Sequence, residues 1–189
     1  MPVGNAYATG NIIAFIEQFH IRNEKLNVLD VGCGMGHNGF IFREMFEIRY
    51  QRLNPEKWMH LIEAIEIFRG YENPVWQYVY NKVMVGDCLK IGRFLEDKKY
   101  DIIFLTEILE HFEKEQVYYL LDELMKKMTD SGSIIITIPV GDEKSVLEQK
   151  DTFGNIHETH KSYLTIDDFD PYPLKHKVNS GVFMIGRKT

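Results

Sequence analysis

The sequence predicts an α/β fold: a mostly parallel seven-stranded sheet, helices on both faces, and an antiparallel hairpin toward the C-terminal end. Three observations predict it. Strand-like and helix-like segments alternate along most of the chain. The strand-like runs, such as Tyr100–Leu105 and Ile134–Ile138, are apolar throughout rather than at every second residue, as in strands covered on both faces. The last two runs flank Asn179-Ser180-Gly181, a hairpin signal.

The elements follow in order. Ile12, Ile13, Phe15, Ile16 and Phe19 sit at helical spacing, giving an amphipathic helix over 8–20. Asn23-Glu24-Lys25 turns the chain into a strand at 27–31. The glycine-rich run Gly32 to Gly39 is a loop, and Phe40 onward is a helix with Ile41, Phe42, Met45, Phe46 and Ile48 on its apolar face. Residues 51–57 are irregular. Met59–Ile65 is a second strand ending at Glu66. Asn73-Pro74 starts a tyrosine-rich helix to Tyr80. Lys82–Val85 is a third strand, Leu89–Glu96 a short helix, and Tyr100–Leu105 a fourth strand. Residues 113–128 form a helix with Val117, Leu120, Leu121, Leu124 and Met128 on one face, stopped by Asp130-Ser131-Gly132. Ile134–Ile138 is the fifth strand, closed by Pro139. A polar loop over 141–160 and a short helix at Ile166–Phe169 precede the hairpin strands Leu174–Val178 and Val182–Gly186.

At 189 residues the chain fits a single domain with a real core. Its 44% hydrophobic and 26% charged residues are ordinary for a soluble globular protein. A net charge of −6 without a long basic run lacks the footprint of a strong nucleic-acid binder, so nucleic acid is disfavoured as a partner. No apolar run is long enough to span a membrane, and no signal-peptide pattern opens the chain. Two separated cysteines fit a reduced, cytoplasmic protein. Oligomeric state is left open.

The chemistry gathers at strand ends. Val28-Leu29-Asp30-Val31 runs into Gly32-Cys33-Gly34-Met35-Gly36-His37-Asn38-Gly39. Glycine admits close backbone approach to a ligand, and the following helix offers free N–H groups. Gly34-x-Gly36-x-x-Gly39 formally fits a dinucleotide fingerprint. Asp30 argues otherwise, because a carboxylate there serves a pyrophosphate poorly and an ammonium-bearing ligand well. Glu66, at the end of the second strand, is placed to accept two ribose hydroxyls, in preference to Glu63 within the strand. Gly86-Asp87-Cys88 follows the third strand. Thr106-Glu107-Ile108-Leu109-Glu110-His111 follows the fourth, where His111 can take a proton from an acceptor near neutral pH. The aromatic cluster Tyr71, Trp76, Tyr78 and Tyr80 reads as packing and surface amphipathy.

Taken together, these residues resemble the class I, Rossmann-like S-adenosylmethionine-dependent methyltransferases, over nearly the whole chain. The resemblance implies S-adenosylmethionine as cofactor. It implies that Asp30 holds the methionine amino group, directly or through water, while Gly32, Cys33, Gly34 and Gly36 wrap methionine and ribose. Glu66 would take the ribose, Asp87 and Cys88 the adenine, and Thr106 would flank the methionine. Glu107 and His111 are the catalytic candidates. The expected acceptor is O or N of a small molecule or glycan, and no metal is expected, the 141–160 loop acting as a lid with Phe153 and Tyr163 as walls. Two alternatives stand beside this. One is a non-catalytic cofactor-binding adaptor. The other follows from Glu107-x-x-Glu110-His111 and His157-x-x-His160, which resemble metal-dependent small-RNA 2′-O-methyltransferases. In that case Glu107, Glu110, His111 and His160 would hold a divalent ion. A nicotinamide-binding protein is disfavoured by Asp30.

Overall fold

The computed structural model describes residues 6–19, 24–95, 97–150, 154–179 and 181–186. Asn23, Glu96, Phe153 and Ser180, named above in turns, a helix end and a pocket wall, lie outside the described residues.

The strands are β1 (Asn27–Val31), β2 (Leu61–Glu66), β3 (Lys82–Val85), β4 (Tyr100–Thr106), β5 (Met128–Thr137), β6 (Leu174–Asn179) and β7 (Val182–Gly186). They form one sheet in the order β3-β2-β1-β4-β5-β7-β6. Pairings among β1 to β5 are parallel, and β7 runs antiparallel to both β5 and β6. The chain therefore goes outward from β1 to β3 and then crosses back to β4 on the other side. Neighbouring connections leave β1 and β4 in opposite directions, which opens a crevice at their carboxyl ends.

Both faces are covered. Helices α1 (Ala6–Phe19), α2 (His37–Phe46) and α3 (Pro74–Val79) pack on one, with Phe15, Ile16, Phe42, Phe46, Trp76 and Val79 against Val28, Ile62, Ile102 and Phe104. Helices α4 (Gly92–Leu95) and α5 (Lys114–Lys127) pack on the other, with Leu95, Val117, Leu120, Leu121 and Leu124 against Leu29, Ile103 and Ile134. The buried positions of α5 recur at three and four residues, so a single stripe faces the sheet. A last short helix, α6 (Glu143–Leu147), opens the loop to residue 160.

Four boundaries differ from the sequence reading. Helix α2 starts at His37, because Gly36 takes the left-handed conformation (φ 95°) that turns the chain into it. Strand β2 starts at Leu61 rather than Met59. The 89–96 helix shrinks to α4 after a 3-10 turn at Cys88–Lys90. The largest difference is β5. Asp130-Ser131-Gly132 does not stop α5; the helix ends at Lys127 and Met128 already pairs with Tyr100. The three turn-forming residues are instead a bulge, since pairing jumps from Tyr100–Met128 to Ile102–Ser133.

One buried cation fixes α2 against the sheet. Arg43 is 1% exposed and donates to the carbonyls of Val79 (2.9 Å) and His60 (2.8 Å) and to Asn81 Oδ1 (2.8 Å), with Glu47 at 3.2 Å. Its charge is thus paired with Glu47 at the end of α2, and its other bonds tie α2 to the end of α3 and to the residues that lead into β2 and β3.

Candidate active site

A cavity of about 340 Å³ lies at the crevice, lined by the loops after β1, β2, β3 and β4 and roofed by the segment 154–161. Gly32, Cys33, Gly34, Glu66, Asp87, Cys88, Thr106, Glu107 and His111 line it. Asp30 and Gly36 do not. Glu63 stands within β2 and away from the cavity, paired with Tyr100 (2.8 Å) and Lys98 (2.7 Å). Tyr163 is not a wall; its hydroxyl donates to the carbonyl of Gly141 (3.0 Å).

The β1–β3 side is a closed polar network. Gly32 N–H donates to Ile65 O (2.8 Å) and Gly34 N–H to Glu66 Oε2 (2.8 Å). The other oxygen of Glu66 accepts from Phe68 N–H (2.9 Å). Gly32 has φ 73°, and a Cβ there would fall 2.3 Å from Ile108, so the turn requires glycine. Trp76 Nε1 donates to Gly34 O (2.7 Å), which pins the loop from α3. Asp87 accepts from Leu89 N–H (3.0 Å), capping the 3-10 turn beside the cavity. Asp30 is fully buried behind this surface. Its carboxylate accepts from Tyr80 OH (2.6 Å) and from Asn38 Nδ2 (3.2 Å), and the same amide donates to Thr106 Oγ1 (2.7 Å). Burial pushes the Asp30 carboxyl up to about 6 against the pull of those two hydrogen bonds. Burial likewise raises Glu66, opposed by its backbone N–H partners.

The β4–β5 side is built differently. Glu107 has φ 51°, unusual for a residue with a side chain, and its N–H donates to Thr137 O (3.1 Å). Glu110 is 1% exposed. Glu107 Oε1 and Glu110 Oε2 are buried with no hydrogen-bond partner among the described residues. Burial raises both carboxyls, and Glu107 adds to the rise at Glu110. Two histidines face them. His160 Nε2 is 3.9 Å from Glu110 Oε1, and the His111 and His160 rings are 4.9 Å apart. His160 Nδ1 bonds Val146 O (2.7 Å) and His111 Nδ1 bonds Thr159 O (3.4 Å). Each contact places Nδ1–H toward a carbonyl and leaves Nε2 as the acceptor. Burial, then the neighbouring His160, pushes His111 down to about 4, so it is an uncharged base at neutral pH. One donor atom each from Glu110, His111 and His160 lie within 4.8 Å of one another.

The roof is tied on both sides. Lys161 and Ser162 N–H donate to Glu110 O (2.8 and 3.2 Å). Across the cavity, Tyr71 OH donates to Glu158 Oε1 (2.8 Å) and Asn155 Nδ2 donates to Tyr71 OH (3.1 Å). Sequence reasoning missed Asn38, Asn155 and Glu158, and it treated Tyr71, Trp76 and Tyr80 as packing. All three aromatic residues are buried and each also spends its polar atom on the site. The helical spacing of Trp76 and Tyr80 pointed to their burial but not to their partners.

A family model described as "Methyltransferase domain" matches residues 22–178. The chain belongs to this family, the class I S-adenosylmethionine-dependent methyltransferases. The fold agrees. An S-adenosylmethionine-dependent methyltransferase from Archaeoglobus fulgidus is 17% identical, with a TM-score of 0.53, over 82% of this chain and 63% of that one. The YcgJ protein from Bacillus subtilis is 16% identical, with a TM-score of 0.54, over 76% and 56%. CalS10, an amino pentose methyltransferase from Micromonospora echinaspora solved with its cofactor, is 14% identical, with a TM-score of 0.50, over 71% and 50%. The chain thus spans about half to two thirds of the length of these solved structures. No curated protein sequence matches it. Among its described residues no helix is long and apolar enough to cross a membrane.

Proposed function

We propose that this chain is a single catalytic domain that binds S-adenosylmethionine against the β1–β3 loops and methylates O or N of a small molecule or glycan in the cytoplasm. The observation that carries this reading is the division of one cavity. A satisfied, glycine-lined network occupies one side, and an uncharged histidine base beside orphaned carboxylates occupies the other.

S-adenosylmethionine supplies a methyl group on a sulfonium, which needs no further activation to leave. Alignment of the acceptor with that methyl is therefore the main contribution asked of the protein. Glu66 keeps lone pairs on both oxygens for ribose hydroxyls, Asp87 and the Cys88 N–H stand toward the adenine end, and Thr106 stands between the two sides. His111 takes the proton of the acceptor at Nε2, and Glu107 holds the acceptor hydroxyl or amine. CalS10 acts on an amino pentose and KedS8 is a sugar N-methyltransferase. Together with the net charge of −6, they favour a small acceptor over nucleic acid.

Calorimetry should find S-adenosylmethionine and S-adenosylhomocysteine bound and NAD not bound; binding of NAD alone overturns the reading. A screen with labelled methyl donor across amino sugars, other glycans, phenols and RNA then names the acceptor. Label in none of them, with the cofactor bound, favours the adaptor alternative.

One observation favours a second reading, in which Glu107, Glu110, His111 and His160 hold a divalent cation beside the acceptor. Mixed carboxylate and imidazole donors suit such an ion, Glu110, His111 and His160 already gather within 4.8 Å of one another with Glu107 outside that group, two carboxylate oxygens lack partners, and both imidazoles are oriented by a carbonyl behind them. The cation would act as a Lewis acid on an acceptor hydroxyl. Mn²⁺ titration followed by electron paramagnetic resonance should detect a site that Glu110→Gln abolishes; no bound Mn²⁺ rejects this reading and leaves the first intact.

A further inference from the structure

Resting on the cofactor reading above, we infer that the side-chain carbonyl of Asn38, and not the carboxylate of Asp30, receives the ammonium group of the cofactor's methionine tail. Tyr80 and Asp30 act behind it as positioning residues.

The argument starts from access. Asp30 is 0% exposed and does not line the cavity, and both of its oxygens hold donors. Each oxygen keeps a free lone pair, but neither is open to the cavity. Asn38 does line the cavity, at the first turn of α2 and between the ends of β1 and β4. Its amide nitrogen spends its two N–H bonds on Asp30 Oδ1 (3.2 Å) and Thr106 Oγ1 (2.7 Å). An ionised carboxylate only accepts, so the nitrogen must face Asp30 and the carbonyl must face away. That carbonyl has no hydrogen-bond partner among the described residues.

Three backbone acceptors of the same loop already hold a donor. Cys33 O accepts from Gly36 N–H (2.9 Å), Gly36 O from Phe40 N–H (3.0 Å) and Gly34 O from Trp76 Nε1 (2.7 Å). A neutral carbonyl is a weaker partner for a cation than a carboxylate. Here the negative charge of Asp30 sits one hydrogen bond behind it and polarises the amide toward the cavity. The arrangement presents the effect of the charge while keeping the charge itself dry. Tyr80, holding the second oxygen of Asp30, prevents the carboxylate from swinging out.

The test compares two ligands by calorimetry: S-adenosylhomocysteine and its analogue lacking the α-amino group. The wild-type protein should prefer the amine by about 10-fold or more, the strength of a hydrogen bond to a charged group. In Asn38→Ala the preference should fall below about threefold. Asn38→Ser, a milder truncation, should do the same and guards against a misfolded alanine variant. Asp30→Asn should lose only part of the preference, because an amide at 30 still meets the amide of Asn38. A full preference in folded Asn38→Ala or Asn38→Ser overturns the inference while leaving the cofactor reading standing. A wild-type protein that binds neither ligand overturns both.

Discussion

The two sides of the cavity obey opposite rules. Around β1 to β3 the buried polar atoms named above are matched: Glu66 to two N–H groups, Gly34 O to Trp76, Asp30 to Tyr80 and Asn38. Around β4 and β5, Glu107 Oε1 and Glu110 Oε2 are buried without partners, and a left-handed Glu107 adds backbone strain. A matched network is stable before anything binds, and an unmatched one costs about 1–3 kcal/mol per orphaned group until a ligand completes it. On the proposed reading, the β1–β3 side is a preformed seat for the cofactor. On the same reading, the β4–β5 side gives up stability until an acceptor or ion completes it.

That contrast can be broken in three ways. The largest effect should come from His111→Ala, which ought to lower turnover by about 10²–10⁴-fold while affinity for S-adenosylhomocysteine stays within about twofold. Parallel losses in rate and cofactor affinity would mean that the two sides are one unit.

Next in size is the pH dependence of Asp30. Its folded carboxyl lies at about 6, above the usual 3.8. The stabilisation from this group is therefore full below about pH 3.8 and lost as pH rises through about 6. The loss is about 3 kcal/mol, and Asp30→Asn removes it. Denaturant melts should find the variant gaining on the wild type between about pH 4 and about pH 8. A constant difference across that range would mean a solvated carboxyl, and the matched side would then not be dry.

The smallest effect belongs to the roof. Tyr71→Phe deletes the hydroxyl between Glu158 and Asn155, a loss of about 1 kcal/mol. Amide exchange over 154–161 should quicken about fivefold without a change at β1. Unchanged exchange would mean that the roof is held from Glu110 alone.

The fold was legible because its strands are apolar on both faces, so Val28–Val31, Tyr100–Leu105 and Ile134–Ile138 stand out whatever lies around them. The start of β5 was not legible. Asp130-Ser131-Gly132 has turn chemistry, and only its neighbours make it a bulge: Lys175 donates to Gly132 O (2.8 Å), and a Cβ at 132 would meet Tyr100 O at 2.9 Å. The cavity-facing residues after β2, β3 and β4 were legible from strand ends, which in a parallel sheet all open on one edge. The placement of Asp30 was not. Its spacing to the glycines is local, but its burial depends on Tyr80, fifty residues on. Asn38 was hidden for the same reason, since its value comes from residues 30 and 106 meeting around it.

Both cysteines of the chain, Cys33 and Cys88, line the cavity. A methyl sulfonium is an alkylating agent, and a thiolate is the side chain it would attack first. Burial pushes Cys88 up to about 12, with the charge of Asp87 adding to it, and it pushes Cys33 further still, helped by Asp30 and Glu66. At neutral pH neither sulfur is a nucleophile. On the proposed reading, the dryness and negative charge of the cofactor's seat also keep these two thiols from taking its methyl group.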